Sequence, residues 1–387
     1  MKDMNDNISI RPVQRDSNLE LFRCITMLLI IAHHYVVNSG LLASDGPVWE
    51  NSCSWRSLFL LILGAWGKTG INCFVLITGY YMCKSAITAR KYFRLLAEIY
   101  FYRFVIAAYF FISGYQVITK QLILQLVLPF WDINRNFSGC FILFYLFIPF
   151  LTILVRNMTT RQHVYLTILC LLIYTIVEPI PWVIVPMHYV SWFIVLFLIA
   201  SFMRLHMEEY MKKENNIWTI GGGIFLIFIS MLSILMVAWL SRHVTLNSHW
   251  EYYFVGESNM PLPLLTGIMA FVVFKKMRLL YIPIINIMGA STFGVLLIHA
   301  NSDAMRRWLW RDLLNNVGVY GSPWLVIHAV GSVMAIFIVC VAIDKLRIHF
   351  IEPPMMACFD KFWPSVVKRY NCFENWFAKK THCFIGE

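Results

Sequence analysis

Charge is scarce in this chain. Asp, Glu, Lys and Arg make up 14% of its 387 residues, roughly half the share of a soluble domain. So few charges cannot cover a water-facing surface, and the apolar excess must face lipid. Carboxylates are the scarcest, 21 against 32 Lys and Arg. No Cys-x-x-Cys spacing occurs, and Cys24, Cys73, Cys83, Cys140, Cys170 and Cys340 lie inside apolar runs. Neither a disulfide framework nor a metal site is therefore indicated. The first apolar run contains Arg23 and two histidines and has no small-residue cleavage site, so it reads as a retained helix rather than a signal peptide. No internal repeat of either sense is visible, unlike many transporters. Together these absences exclude a nucleic-acid binder, a secreted disulfide scaffold and a disordered chain.

What is present is apolar: 59% of residues are hydrophobic and the mean hydropathy is +0.65. The reading is an all-α integral membrane protein of about ten transmembrane helices, multi-pass in the inner membrane. Apolar runs long enough to cross a bilayer are predicted at 19–38, 58–83, 95–113, 137–155, 164–182, 190–205, 217–240, 261–275, 283–299 and 323–343. The brief apolar stretch from Val117 to Pro129 suits a re-entrant or interfacial segment. Alternate ends of these runs carry 22 and 7 of the 32 Lys and Arg, which places both termini in the cytoplasm. The net charge of +11 follows from this asymmetry and needs no nucleic-acid partner. Residues 1–18 form a cytoplasmic segment, 19–343 a ten-helix membrane domain, and 344–387 a tail. In that tail Met355, Phe359, Phe362, Val366 and Tyr370 recur at helical spacing beside Lys361, Lys368 and Arg369. The pattern predicts an amphipathic helix on the inner leaflet.

The first helix carries the strongest chemical signal. Arg23 and His34 are eleven residues apart, three helical turns, and share one face at a rise of about 16 Å. His33 points about 80° away. Glu20, one turn below Arg23, can pair with it. A charge and an imidazole inside a span are costly and point to function, although a snorkelling Arg and a helix-packing His would fit the spacing too. A second cluster holds four cations, Lys84, Arg90, Lys91 and Arg94, with no carboxylate before Glu98. It reads as a topology anchor or as a cytoplasmic phosphate site. Third, the run from Gly289 ends in His299 at the outer face.

These residues resemble the acyltransferase-3 family of bacterial membrane-integral O-acyltransferases. Arg23 and His34 meet its Arg-x10-His pattern, and Cys73 to Tyr80 matches an aromatic-rich helix ending in Gly-Tyr. Lys91-x-x-Arg94 stands at its cytoplasmic Arg-x-x-Arg motif, with a lysine replacing one guanidinium. Residues 291–299 match a late Ser-Thr-Phe-Gly-Val-x-Leu-Ile-His stretch. The likeness covers about residues 15 to 345. Many relatives also carry a carboxylate in a middle helix. Here none lies between Asp132 and Glu178, leaving Glu20, Glu98 or Asp303 as substitutes for an acid that orients the histidine.

The resemblance implies transfer of an acyl group, usually acetyl from acetyl-CoA and without a metal, to a hydroxyl of an envelope glycan or polyprenyl-linked glycan. It implies His34, Arg23 and Glu20 as catalytic residues, with His34 as base or acyl relay. Arg90, Lys91, Arg94 and Lys84 would hold the donor, and His299, Tyr80 and Glu98 are further candidates. Two rival classes stand beside it. A transporter or lipid-linked glycan flippase would use Arg23, Lys68, Glu98 and Arg103 as a substrate path. A polyprenyl-phosphate glycosyltransferase would want Asp-rich metal sites, for which this chain has too few Asp.

Overall fold

The computed structural model describes residues 16–128, 130, 137–177, 180, 187–213, 216–243, 250–277 and 279–385, and the side chains of the last helix as far as residue 373. The fold is all helical, 80% helix with no strand among the described residues. Among the described residues eight helices are long and apolar enough to cross a membrane.

In chain order the elements that matter are α1 (Ser17–Val37), α2 (Trp55–Gly64), α3 (Gly67–Met82), α4 (Ala89–Ile112), α5 (Phe137–Asn157), α6 (Thr160–Leu171) and α7 (Tyr189–His206). They continue with α8 (Asn216–His243), α9 (Pro261–Lys276), α10 (Pro283–Ala290), α11 (Thr292–His299), α12 (Leu325–Leu346) and α13 (Glu352–Ile385). The expected run 58–83 is broken at Ala65 and Trp66, between α2 and α3. Run 283–299 is likewise two eight-residue helices, α10 and α11, parted at Ser291. Helix α9 has 16 residues. It and the α10–α11 pair fall below the roughly 20 helical residues that the hydrocarbon thickness asks of a single straight span, which accounts for eight long helices where ten apolar runs are read. The expected run 164–182 lies partly outside the described residues; its described part is α6 followed by a π-helical stretch, Leu172–Val177. Between Val117 and Pro129 stands a short helix, Lys120–Val127, with no buried residue.

Burial sorts the bundle into centre and rim. In the pair Trp55–Met82 the apolar window is 72% buried, whereas in Thr160–Val177 it is 11% buried, so the second presents its side chains to lipid. Helix α1 packs against α2, α3, α10 and α12, and α3 packs against α7 and α9. Without a hydrophobic drive between helices in lipid, such packing relies on small residues that let backbones approach. Gly79 shows it: a Cβ there would lie 3.0 Å from the Ala200 Cβ and 3.2 Å from the Phe197 Cα.

Caps and side chains fix the helix ends. Thr88 accepts a hydrogen bond from the Lys91 amide and starts α4. Asn18 donates to the carbonyls of Phe274, Lys275 and Met277, tying the start of α1 to the end of α9 and filling orphan acceptors there. Tyr81 and Lys275 reach Asp16, and Arg156 donates to the Cys83 carbonyl at 3.0 Å. These contacts gather the start of α1 with the ends of α3, α5 and α9 at one basic end of the bundle. At the opposite end Asn316 donates to the Tyr35 carbonyl, and Tyr320 bonds with Ser54 and Ser57. Helix α12 passes through a π-helical stretch, Arg347–Ile351, into the tail helix α13. Helix α13 lies against α4, with Phe359 stacked on Phe93 at 4.6 Å, while Phe362, Val366 and Tyr370 are exposed.

Candidate active site

Three imidazoles meet at the end of the bundle opposite the basic one. His33 and His34 occupy the last turns of α1, and His299 ends α11. The rings of His34 and His299 lie 5.2 Å apart and those of His33 and His34 5.8 Å apart. His299 is wholly buried, while His33 and His34 are half-buried.

Local backbone geometry sets the tautomers. The break after α2 leaves the Gly64 carbonyl at a helix end, where acceptors lack intrahelical partners. His33 Nδ1 is 2.6 Å from it. His299 Nδ1 is 2.6 Å from the Val295 carbonyl one turn back. A carbonyl only accepts, so in each ring Nδ1 carries the proton and Nε2 keeps its lone pair. His299 Nε2 and His34 Nδ1 are buried and have no hydrogen-bond partner among the described residues. Gly67 makes room for this: a Cβ there would collide with the His33 ring. Two cations flank the group. Lys68 donates to Tyr189 at 2.8 Å and to Glu257 at 3.1 Å, and Arg306 pairs with Asp303 at 2.6 Å.

Arg23 and Glu20 sit near the other end of α1. They are 3.7 Å apart, and Glu20 packs against Gly289 of α10. The uninterrupted helix holds Arg23 about 16 Å from His34. One ligand can touch both only if it is long. None of the three carboxylates expected to orient His34 does so by a described hydrogen bond: Glu20 faces Arg23 and Asp303 faces Arg306. Glu98 lies 3.1 Å from Arg347, which is also held by Asp344 at 2.9 Å and Glu352 at 3.1 Å. Tyr102 donates to the same Asp344 oxygen at 2.8 Å. A second imidazole, His299, stands beside His34 where a carboxylate was expected.

The four cations of the second cluster are separated by their partners. Arg90 donates twice to Asp360, at 2.9 and 3.0 Å, and Arg94 Nε lies 2.9 Å from Glu352. Lys91 donates to the Ala86 carbonyl at 2.7 Å. Lys84 turns instead toward Glu208, 3.7 Å away. There it joins residues that sequence reasoning passed over. Arg204 donates to the Tyr80 hydroxyl at 2.8 Å and to Glu208 at 2.7 Å, and Arg204 and Lys275 both lie over the Tyr80 ring. Arg204 and Lys275 come from α7 and α9, so no local spacing could have joined them to Tyr80. The buried Asp344 and Arg347 did carry a signal, opposite charges three residues apart at the end of an apolar run.

A cavity of about 510 Å³ opens between α6, α7, α8 and α9, lined by apolar side chains such as Met203, Trp218 and Ile268, with Lys276 among them. It takes no lining residue from α1, α3 or α11 and is separate from the imidazoles. Among the described residues no group of His, Cys, Asp and Glu could hold a metal ion.

The geometry can do acid–base or nucleophilic work. A half-buried imidazole with a ring nitrogen that meets no described partner, neighboured by a second imidazole, is suited to take a proton or to accept an acyl group. In comparison with known proteins, residues 16–344 match the family model Acyl_transf_3, described as an acyltransferase domain. No curated protein and no solved structure matches the chain.

Proposed function

The chain belongs to the acyltransferase-3 family of membrane proteins, and on that premise we propose that it is an O-acyltransferase of the inner membrane. It moves an acyl group, acetyl in the simplest case, from cytoplasmic acyl-CoA to a hydroxyl of a cell-envelope glycan. O-antigen, capsule, exopolysaccharide or a lipid-linked oligosaccharide would present such a hydroxyl. Ten spans with both termini in the cytoplasm belong to this reading, on the strength of the Lys and Arg asymmetry.

The observation that carries it is the pair His34 and His299, 5.2 Å apart, with ring nitrogens that meet no partner among the described residues, inside an acyltransferase-family bundle. His34 takes the proton of the acceptor hydroxyl as its oxygen attacks the thioester carbonyl. The C–S bond breaks, the CoA sulfur leaves with a proton, and the ester is formed. In the covalent variant His34 accepts the acyl group first and passes it to the hydroxyl. His299, its Nδ1 proton committed to Val295, offers Nε2 as acceptor to whichever N–H or O–H faces it. Arg23, with Glu20 beside it, binds the donor rather than the reacting oxygen, since about 16 Å of helix separates it from His34. A donor with a long flexible arm reconciles that distance: phosphates at Arg90, Lys91, Arg94 and Lys84, thioester at the histidines. Tyr80 and the cations over its ring flank this path. Glu98 serves the Arg347 network. The tail helix α13 lies along the inner leaflet with its exposed Phe362, Val366 and Tyr370 toward lipid.

The test is turnover of isotope-labelled acetyl-CoA by the purified protein, read beside the O-acetyl content of surface glycans in cells with and without it. Label in the glycan and loss of O-acetyl groups on deletion are expected. A protein that neither hydrolyses nor exchanges acetyl-CoA, and whose absence leaves glycan O-acetylation unchanged, would refute the reading and favour a transporter.

A further inference from the structure

The two arginines assigned to the donor phosphates are occupied by one element. Asp360 grips Arg90 through both carboxylate oxygens, and Glu352, eight residues earlier on α13, holds Arg94. Between them Phe359 stacks on Phe93 of α4 and on Trp363 of its own helix. This apolar contact packs α13 on α4 beside the ion pairs. A carboxylate bidentate on guanidinium has the geometry that a phosphate takes on the same fork.

The partners differ in what they can give up. Asp360 and Arg90 are each about half exposed, so their bond is screened by water and easily exchanged. Glu352 is mostly buried, and its second oxygen is 3.1 Å from Arg347. When Arg94 turns to another anion, Glu352 keeps a partner and is not stranded. Arg347 in turn is held by Glu98 and Asp344.

We propose that Asp360 and Glu352 of the tail helix are affinity-setting residues of the donor site. They occupy Arg90 and Arg94 as internal anions, and the phosphates of acyl-CoA displace them. The proposal rests on the reading that these arginines take the donor. It changes the role of the tail from anchor alone to competitor: donor binding must release two ion pairs, and any anion on α13 beside them lowers donor affinity.

The probe is CoA, a non-acylating form of the donor, binding to the full-length protein in detergent at low and high ionic strength. Asp360→Asn removes the charge at an exposed, isosteric position. It is expected to tighten CoA binding about two- to fivefold at low salt, the range of an exposed ion pair, with the gain shrinking at high salt. Glu352→Gln should act in the same direction, and its folding is checked by thermal denaturation because Glu352 also serves Arg347. The exchange Arg90→Asp with Asp360→Arg restores the ion pair while removing the cation from α4. It should bind CoA more weakly than Asp360→Asn. Unchanged or weaker CoA affinity in Asp360→Asn and in folded Glu352→Gln, with Arg94→Ala still weakening it, would overturn the competition while leaving the phosphate site in place. Unchanged affinity in Arg90→Ala and Arg94→Ala would remove the phosphate site itself, and the competition with it.

Discussion

The two ends of α1 solve opposite problems. At the histidine end polar groups are left incomplete: His34 Nδ1 and His299 Nε2 are buried without described partners. At the basic end guanidinium groups meet carboxylates, with Arg90 on Asp360, Arg94 on Glu352 and Arg347 shared among three carboxylates, although Asp344 Oδ2 and Arg204 Nε are also buried without described partners. A buried nitrogen without a described protein partner can accept a hydrogen bond from a substrate group or donate one to it, whereas a paired charge is stable at rest and must be exchanged to act. On the proposed reading the contrast separates a reacting centre from a holding centre, much as α1 itself holds Arg23 about 16 Å from His34.

The comparison breaks most sharply at His34. His34→Ala should lower glycan acylation by about 10²- to 10⁴-fold, the usual cost of losing a general base, and further if the imidazole is a covalent relay. Near-normal acylation in this variant would move the reacting centre elsewhere. Next comes the basic end. Arg347 is 6% exposed and holds Glu98, Asp344 and Glu352. Arg347→Ala should destabilise the fold by about 3 to 5 kcal/mol, the cost of stranding buried partners. Denaturation of the variant alongside Asp344→Asn measures it, and a stable, inactive Arg347→Ala would instead give this network a part in turnover.

A smaller effect is expected at Arg94, where a new partner replaces an old one. Arg94→Ala should weaken CoA binding by roughly 1.5 to 3 kcal/mol if a charge-assisted bond is lost. Smallest of all, His33→Ala should keep substantial activity, because His33 points about 80° away from the face that Arg23 and His34 share. If His33→Ala were as damaging as His34→Ala, the division between the two imidazoles would disappear.

Much of this was legible in the sequence, for reasons that also mark where it was not. Long apolar runs announce spans because a bilayer demands length, so α1, α5, α7 and α12 stand where the runs predict. A break without proline is quieter. The interruption at Ala65 and Trp66 is flanked by Gly64 and Gly67, and that at Ser291 follows Gly289, yet hydropathy reads straight through both. Arg23 and His34 were visible because they share a helix, where spacing is geometry. His299 was visible only as a lone imidazole, since its place beside His34 depends on packing between distant elements. The basic cluster was read as four free cations, because a count of charges cannot know that Asp360 and Glu352 fold back onto it.

The central claim, that one end reacts and the other holds, meets its most direct test in the maximal acylation rate and the CoA affinity of His34→Ala and Arg94→Ala. The account predicts a clean crossing. His34→Ala loses rate and keeps CoA affinity, while Arg94→Ala loses affinity and recovers rate at saturating donor. If rate and affinity fell together in both variants, the two ends would form one site and the separation drawn along α1 would be wrong.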